Sequence, residues 1–297
     1  MSTRSSLRRI AALFGWTRHS YYLLSGFLLI CGLIVYIWWP LAQEVLAYID
    51  WGGPWWLTFD WLLVGIWLAM SLLIMAKANL KSDARIVFVG FVGGLVIESW
   101  GTQNNLWFYY TAERPPLWII PAWPIAALAT DRLARLFLYC CAILANKWSR
   151  KSQFWHDKVV KPPYHAKIAP FRVLYWLVFG TFSILMLIFV APTFDKSLTL
   201  LAILLCALLI LSPTEARMAT LTFLAGAGLG YFLELWGTTR ECWTYYTRQT
   251  PPLFAVLAHG MAALAFWRAN LILGQFYKKM KAFQRKGEKI KGIRDRV

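Results

Sequence analysis

The stretch ESWGTQNNLWFYYTAERPP (residues 98–116) has a second copy in ELWGTTRECWTYYTRQTPP (residues 234–252). Ten of the nineteen aligned positions are identical without a gap, and the match continues into Ala126–Ala129 against Ala262–Ala265. Self-similarity at a fixed spacing is the signature of a duplicated structural unit. The duplication therefore predicts two similar halves, with an apolar segment before and after each copy.

Working outward from these copies, the composition indicates a membrane protein. Hydrophobic residues make up 59% of the chain and charged residues 15%, against about 25% charged residues in typical soluble domains. A helix needs about 20 apolar residues to cross the hydrocarbon. On that measure the sequence predicts eight transmembrane helices, at residues 21–42, 56–76, 85–101, 117–138, 171–193, 197–212, 217–238 and 252–275. The predicted fold is an all-α polytopic membrane protein built from two parallel four-helix repeats, related by an axis along the membrane normal.

Basic residues predict the orientation of the chain. Of the 31 lysines and arginines, 27 lie at the termini or in segments on one side of the predicted spans, namely 1–20, 77–85, 132–172, 213–217 and 268–297. Because cytoplasmic loops carry the excess of Lys and Arg, both termini are predicted to be cytoplasmic, in a bacterial inner membrane. The net charge of +17 then favours attraction to anionic lipid over binding of nucleic acid.

The predicted domains follow from the same pattern. Residues 1–150 form the first four-helix repeat, 151–170 a cytoplasmic linker, and 171–297 the second repeat with a basic tail. No cleavage pattern of small residues follows the basic N-terminus, so the first span is predicted to be retained.

Glu98 and Glu234 open the two copies and lie inside predicted spans. An ionisable side chain in the bilayer is costly and is usually functional, so both carboxyl groups are predicted to face a shared interior as protonated acids. The alternative is a carboxylate that reaches interfacial water or bonds a neighbouring Tyr or Trp. Gly101 and Gly237 are predicted to end the preceding helices as C-terminal caps.

Aromatic residues surround both carboxyl groups at a fixed spacing. Trp107, Tyr110, Trp243 and Tyr246 are predicted to lie within reach of the carboxyl groups. The full predicted substrate-binding set is Trp100, Trp107, Tyr109, Tyr110, Trp123, Trp236, Trp243, Tyr245 and Tyr246. These rings are predicted to line a cavity for a long apolar ligand or to stabilise a cation; the alternative is an aromatic belt at the membrane interface.

His259 aligns with Trp123 and is the main asymmetry between the copies. Its depth in the eighth span matches that of Glu234 in the seventh, so the two side chains can meet and act as acid and base. A histidine bonded to backbone or water is the alternative. No cluster of Cys and His has metal-ligand spacing, so neither a metal nor a cofactor is predicted.

Other charges near the predicted spans are read as structural. Arg132 and its match Arg268 are interpreted as snorkelling anchors, with Asp131 paired to Arg132 or Arg135. Asp60 is predicted to be interfacial.

The run Glu98-x-x-Gly101-Thr-x4-Trp107-x-Tyr109-Tyr-Thr, with Pro121-Ala-Trp123 after it, resembles the signature of the membrane carotenoid-biosynthesis family that includes the carotenoid 1,2-hydratases. The resemblance implies that Glu98 is the acid, that Tyr109 and Tyr110 line the polyene site, and that Pro121 and Trp123 shape its wall. The chain departs from the family pattern in having Phe108 or Thr244 after the aromatic residue and, in the second copy, Leu257 and His259.

The expected function is therefore that of a membrane enzyme, a hydratase or cyclase that protonates a double bond of an isoprenoid or carotenoid-like lipid through Glu98, Glu234 or His259. Membrane lipids and that apolar substrate are the predicted partners. The alternatives are a proton-coupled transporter, a lipid-handling protein, or a non-catalytic membrane subunit. Because the copies differ, one carboxyl group is expected to be catalytic and the other structural, with Glu98 favoured by the resemblance and Glu234 by acid–base pairing.

Overall fold

The computed structural model describes the backbone of residues 15–155 and 169–294, and the side chains of 15–143 and 170–284. This part of the chain folds into nine α-helices, two short strands and two single 3₁₀ turns. The helices are α1 Arg18–Ile37, α2 Trp39–Ala47, α3 Trp61–Met75, α4 Leu80–Gln103, α5 Ala122–Trp155, α6 Ala169–Val190, α7 Ser197–Leu211, α8 Ala216–Thr239 and α9 Leu253–Arg294. The strands are β1 Trp107–Tyr109 and β2 Trp243–Tyr245. The predicted all-α fold is confirmed in its main part, and the strand pair is an addition to it.

Four helical segments are long and apolar enough to cross a membrane by length and composition. They are Arg18–Ile37, Pro170–Thr193, Ala216–Thr239 and Leu253–Gln284. Trp61–Met75 and Ser197–Leu211 are apolar but shorter. The chain is thus a helical protein with membrane-spanning segments.

The first predicted span, 21–42, is broken in the structure into α1 and α2. Pro40 lies in the first turn of α2, where its missing N–H costs nothing. The same proline cannot continue α1, because its ring clashes with the carbonyl four residues earlier. The chain therefore bends at Trp38, which caps both helices.

Close helix packing next to the duplicated segments depends on glycines spaced by four. Gly90 and Gly94 of α4 lie against α5; a Cβ on Gly90 would be 2.8 Å from the Pro124 backbone. Gly226 and Gly230 of α8 lie against α9 in the same way, and a Cβ on Gly226 would be 2.7 Å from the carbonyl oxygen of His259. Such pairs of small residues let helix backbones approach closely.

The two strands pair in an antiparallel ladder at the ends of α4 and α8. Its register is Trp107 with Tyr245, Phe108 with Thr244, and Tyr109 with Trp243. Phe108 and Thr244 are aligned positions of the two copies, so the ladder is centred on one matched pair. A two-fold relation of the two segments follows from that register.

The ends of the helices differ from the predictions in two places. Gly101 and Gly237 do not cap helices; α4 and α8 continue to Gln103 and Thr239, and the left-handed residues are Asn105 and Glu241, with φ of 58° and 56°. Asparagine enters this region at little cost.

The fourth predicted span also begins later than expected, at Ala122 instead of residue 117, because Pro121 disfavours a helical conformation in the residue before it.

The predicted linker of residues 151–170 is only partly within the described residues. Helix α5 continues to Trp155 and α6 begins at Ala169, so both ends of that segment are helical. Residues 156–168 lie outside the described part.

Arg132 is a buried structural residue and not a snorkelling anchor. Its Nη2 lies 2.7 Å from Asp83 Oδ2 and its Nη1 2.7 Å from Asp131 Oδ2. Its Nε donates to the carbonyl of Ala76, the residue that ends α3. The matching Arg268 donates to the carbonyls of Leu209 and Ser212 at the end of α7. Both arginines therefore satisfy C-terminal helix carbonyls.

Candidate functional site

The Glu98 carboxyl group is buried at 3% exposure and accepts three hydrogen bonds. Trp107 Nε1 donates to Oε2 over 3.0 Å. Tyr109 Oη donates to Oε1 over 2.9 Å, and Trp123 Nε1 to the same oxygen over 3.1 Å. These partners come from β1 and α5, so one carboxyl group joins three elements.

The Glu234 carboxyl group, also 3% exposed, has a matching set of partners. Trp243 Nε1 donates to Oε2 over 2.9 Å and Tyr245 Oη to Oε1 over 2.8 Å. The third partner is His259, whose Nε2 lies 2.9 Å from Oε1. This is the contact that the matching depths of Glu234 and His259 predicted.

The strands explain why these particular side chains reach the carboxyl groups. Residues two apart in a strand point to one face, so Trp107 and Tyr109 turn toward Glu98 and Phe108 turns away. The same alternation turns Trp243 and Tyr245 toward Glu234. The ladder therefore fixes four of the six partners at once.

Four glycines make room for the partners. A Cβ on Gly101 would lie 1.8 Å from the Trp107 ring, and one on Gly237 would lie 2.0 Å from the Trp243 ring. A Cβ on Gly94 would lie 2.3 Å from Trp123, and one on Gly230 would lie 2.5 Å from His259. Each partner that lies against a glycine of the preceding helix is thereby held beside its carboxyl group. The sequence analysis did not identify this role, although the matched G-x-x-x-G spacing in α4 and α8 was available as a signal.

Trp123 and His259 bring the two sites together. Their rings stack, with centroids 5.7 Å apart and an interplanar angle of 19°. A continuous chain of contacts therefore joins Glu98, Trp123, His259 and Glu234. Of the nine predicted binding residues, this cluster contains Trp107, Tyr109, Trp123, Trp243 and Tyr245.

The second tyrosine of each copy has a different position from the one predicted. Tyr110 donates its hydroxyl to the carbonyl of Ile37, and Tyr246 to the carbonyl of Phe189 over 2.6 Å. Neither hydroxyl bonds a carboxyl group, because neighbouring strand residues point to opposite faces. Each tyrosine instead holds its strand against the end of α1 or α6.

Trp100 and Trp236 also bond outside the two carboxyl groups. Trp100 Nε1 donates to Thr199 Oγ1 over 3.2 Å, in the first turn of α7. Trp236 Nε1 donates to Asp60 Oδ2 over 2.8 Å, and Arg240 Nε donates to the same oxygen over 2.7 Å. Asp60 is the N-cap of α3, so it is a partly buried structural group that ties α3 to α8.

A cavity of about 1870 Å³ borders both sites. Its lining is mostly aliphatic and aromatic and includes both carboxyl groups, His259 and seven of the predicted binding residues; Tyr110 and Tyr246 are the two that do not line it. Pockets for small molecules usually measure about 300–1,000 Å³. This cavity therefore has room for a ligand longer than an ordinary metabolite.

Charges on the cavity wall are predominantly negative. The acidic residues of the lining are Glu44, Asp60, Glu98, Glu234 and Glu241. Among the described residues, Arg240 is the one Lys or Arg of the lining, and it is paired with Asp60. Phosphate groups are held by free guanidinium or ammonium groups, so this wall does not suit a phosphorylated ligand. In the described part of the chain, no group of three or more His, Cys, Asp or Glu side chains is placed to hold a metal ion.

The third partner decides what each carboxyl group can do with a proton. An indole N–H donates only, so a protonated Glu98 would have to give up a bond to Trp107 or Trp123, or turn that of Tyr109. An imidazole nitrogen both donates and accepts. The Glu234–His259 contact is therefore kept whether the proton lies on oxygen or on nitrogen.

Comparison with family models, with curated proteins and with solved structures finds no match for this chain. The chemistry of the two sites therefore has to be argued from their own geometry.

Proposed function

We propose that this chain is an integral membrane enzyme that protonates a double bond of a long, uncharged isoprenoid or carotenoid-like lipid, leading to hydration or cyclisation. The observation that carries the proposal is the Glu234–His259 contact of 2.9 Å on the wall of a large apolar cavity. A positioned acid–base pair of this kind contributes about 10²–10⁴-fold to a proton transfer.

The pair holds one proton that it can transfer to a substrate carbon. Transfer leaves the pair with one net negative charge, next to the carbocation that forms. Trp243 and Tyr245 then donate to the carboxylate oxygens, which favours the ionised form. The ring faces of Trp123 and Trp107, which line the same cavity, stabilise the cation. Water or a second double bond quenches the cation, and the proton released returns to the pair.

Glu98 has a supporting role in this proposal. Its three donors hold β1 and α5 around one buried oxygen pair, and its stack partner Trp123 positions the His259 ring. This assignment reverses the role that the resemblance to the carotenoid family implies. It rests on the difference between an indole and an imidazole at one aligned position.

The membrane arrangement is part of the same proposal. We propose eight crossings in two parallel four-helix repeats, with both termini on the cytoplasmic side of a bacterial inner membrane. The distribution of 27 of 31 basic residues supports the orientation. The symmetric strand register supports a two-fold axis between the repeats.

Two matched variants test the function. Purified protein in lipid nanodiscs is incubated in D₂O with lycopene, an acyclic polyene, and the deuterium bound to carbon is measured by mass spectrometry. Glu234→Gln is expected to lower this transfer by about 10²–10⁴-fold, and Glu98→Gln by less than about tenfold. Both variants place an amide beside the same kinds of donors, so their folding losses should be similar.

The outcome against the enzyme would be equal losses in the two variants, or an absence of deuterium transfer by the unmodified protein. If the unmodified protein instead moves the lipid between vesicle leaflets without converting it, the transporter interpretation replaces this one.

A further inference from the structure

A second, small cavity lies behind the Trp123–His259 stack. It measures about 20 Å³ and is enclosed by α5, α8 and α9. A cavity needs about 10–15 Å³ by this kind of measure to hold one water molecule. Half of its twelve lining residues also line the large cavity, His259 and Trp123 among them, so the two spaces adjoin.

Two polar groups face this recess without another partner. Thr130 is 5% exposed, and its hydroxyl has no hydrogen-bond partner among the described residues. His259 uses Nε2 for Glu234, so Nδ1 is the ring atom left for a further bond. A buried water needs two to four polar partners, and these two groups meet the minimum.

The recess is specific to the half that contains Glu234. Phe266 is the residue of α9 that aligns with Thr130, and its ring fills the corresponding space beside α4: a Cβ on Gly93 would lie 2.1 Å from that ring. Beside α8, the small residues Gly226 and Gly230 face Thr130, and the space stays open. One Thr-to-Phe difference therefore separates the two sides.

We propose that this recess binds the water molecule that adds to the substrate, so that the reaction is a hydration and not a cyclisation. This inference rests on the proposed function. Proton transfer from the Glu234–His259 pair makes the carbocation. The recess water then forms a carbon–oxygen bond to it, and the proton that the water loses goes to His259 and restores the pair. The net change is the addition of one water to one double bond.

The prediction for Thr130 concerns the fate of the cation. Without a positioned water, the cation loses a proton to a base and becomes an alkene again, carrying deuterium if the reaction runs in D₂O. Thr130→Val keeps the shape of the side chain and removes the hydroxyl. Thr130→Ser keeps the hydroxyl and is the matched control.

The experiment uses the full-length protein in nanodiscs with lycopene, in D₂O enriched in ¹⁸O. It measures deuterium on carbon and ¹⁸O in the product alcohol separately. Thr130→Val is expected to lower the ratio of ¹⁸O to deuterium about five- to tenfold, the effect of losing one hydrogen bond to the water. Thr130→Ser should keep this ratio within about twofold of the unmodified protein.

The two proposals fail in different ways. If the unmodified protein transfers no deuterium, the proposed function is wrong and the recess water falls with it. If it transfers deuterium but its product has no ¹⁸O, or if Thr130→Val keeps the unmodified ratio, the function stands and the water site is wrong. A ratio that falls equally in Thr130→Ser would also overturn the role of the hydroxyl.

Discussion

The Glu98 and Glu234 sites are built alike up to their third partner and differ from that point on. Each carboxyl group accepts from a tryptophan and a tyrosine two residues apart on a strand. Each strand tryptophan lies against a helix glycine. Position 123 is then an indole where position 259 is an imidazole, and position 130 is a hydroxyl where 266 is a phenyl ring. The shared residues form a scaffold, and the two differing positions concentrate the chemistry on one side.

The largest effect is expected when His259 is made equal to its counterpart. In His259→Trp, the indole lies against Gly230 as Trp123 lies against Gly94, and it donates to Glu234 without being able to accept. Turnover should fall by about 10²–10⁴-fold, the contribution of a positioned acid–base group. The measurement is deuterium transfer to lycopene by the purified variant.

The reciprocal variant is the control for that change. Trp123→His leaves the Glu234–His259 pair in place, so turnover is expected to stay within about tenfold. Wild-type turnover in His259→Trp would show that the imidazole has no chemical role and that the two sites are equivalent.

A smaller, structural difference is expected between the two matched arginines. Arg132→Leu leaves the carboxylate of Asp83, at 1% exposure, without its counter-charge, which should cost about 3–5 kcal/mol. Arg268→Leu removes only hydrogen bonds to carbonyls, at about 1.5–3 kcal/mol. Thermal unfolding in detergent should therefore give a larger decrease in Tm for Arg132→Leu. Equal decreases would mean that the Asp83 ion pair adds nothing in the first half.

The smallest effects are expected to be the same on both sides. Gly101→Ala and Gly237→Ala place a methyl group against the rings of Trp107 and Trp243, and overpacking of this kind costs about 1–3 kcal/mol. The decrease in Tm should agree between the two variants. A decrease in only one would show that the other indole can move, and that the shared scaffold is less symmetric than its hydrogen bonds.

The sequence predicted the partners of the site better than their roles. Both glutamates, both strand tryptophans and His259 follow from aligned positions and helix depth. The choice of Tyr109 over Tyr110 did not, because it depends on which face of a three-residue strand each side chain takes. No apolar pattern marks so short a strand, and its pairing partner lies in the other half of the chain.

Residues whose role depends on tertiary contact were read less well. Gly101 was predicted to be a cap because glycine commonly ends helices, whereas its function is to leave space for an indole. Asp83 has an ordinary sequence context near a helix start. Its ion pair with Arg132 becomes visible only when α4 and α5 pack together. Helix positions were predicted from local composition, while these contacts depend on how helices meet.

The ladder between β1 and β2 also constrains the order in which the protein matures. The ribosome releases β1 long before β2, so the backbone groups of Phe108 and its neighbours have no strand partner while the first half enters the membrane. Unpaired backbone groups are costly away from water, so the outer segment of the first half stays provisional during this interval. Trp107 and Tyr109 reach their final geometry around Glu98 only after Tyr245 has been translocated. Biogenesis of the first site thus ends with a nearly complete chain.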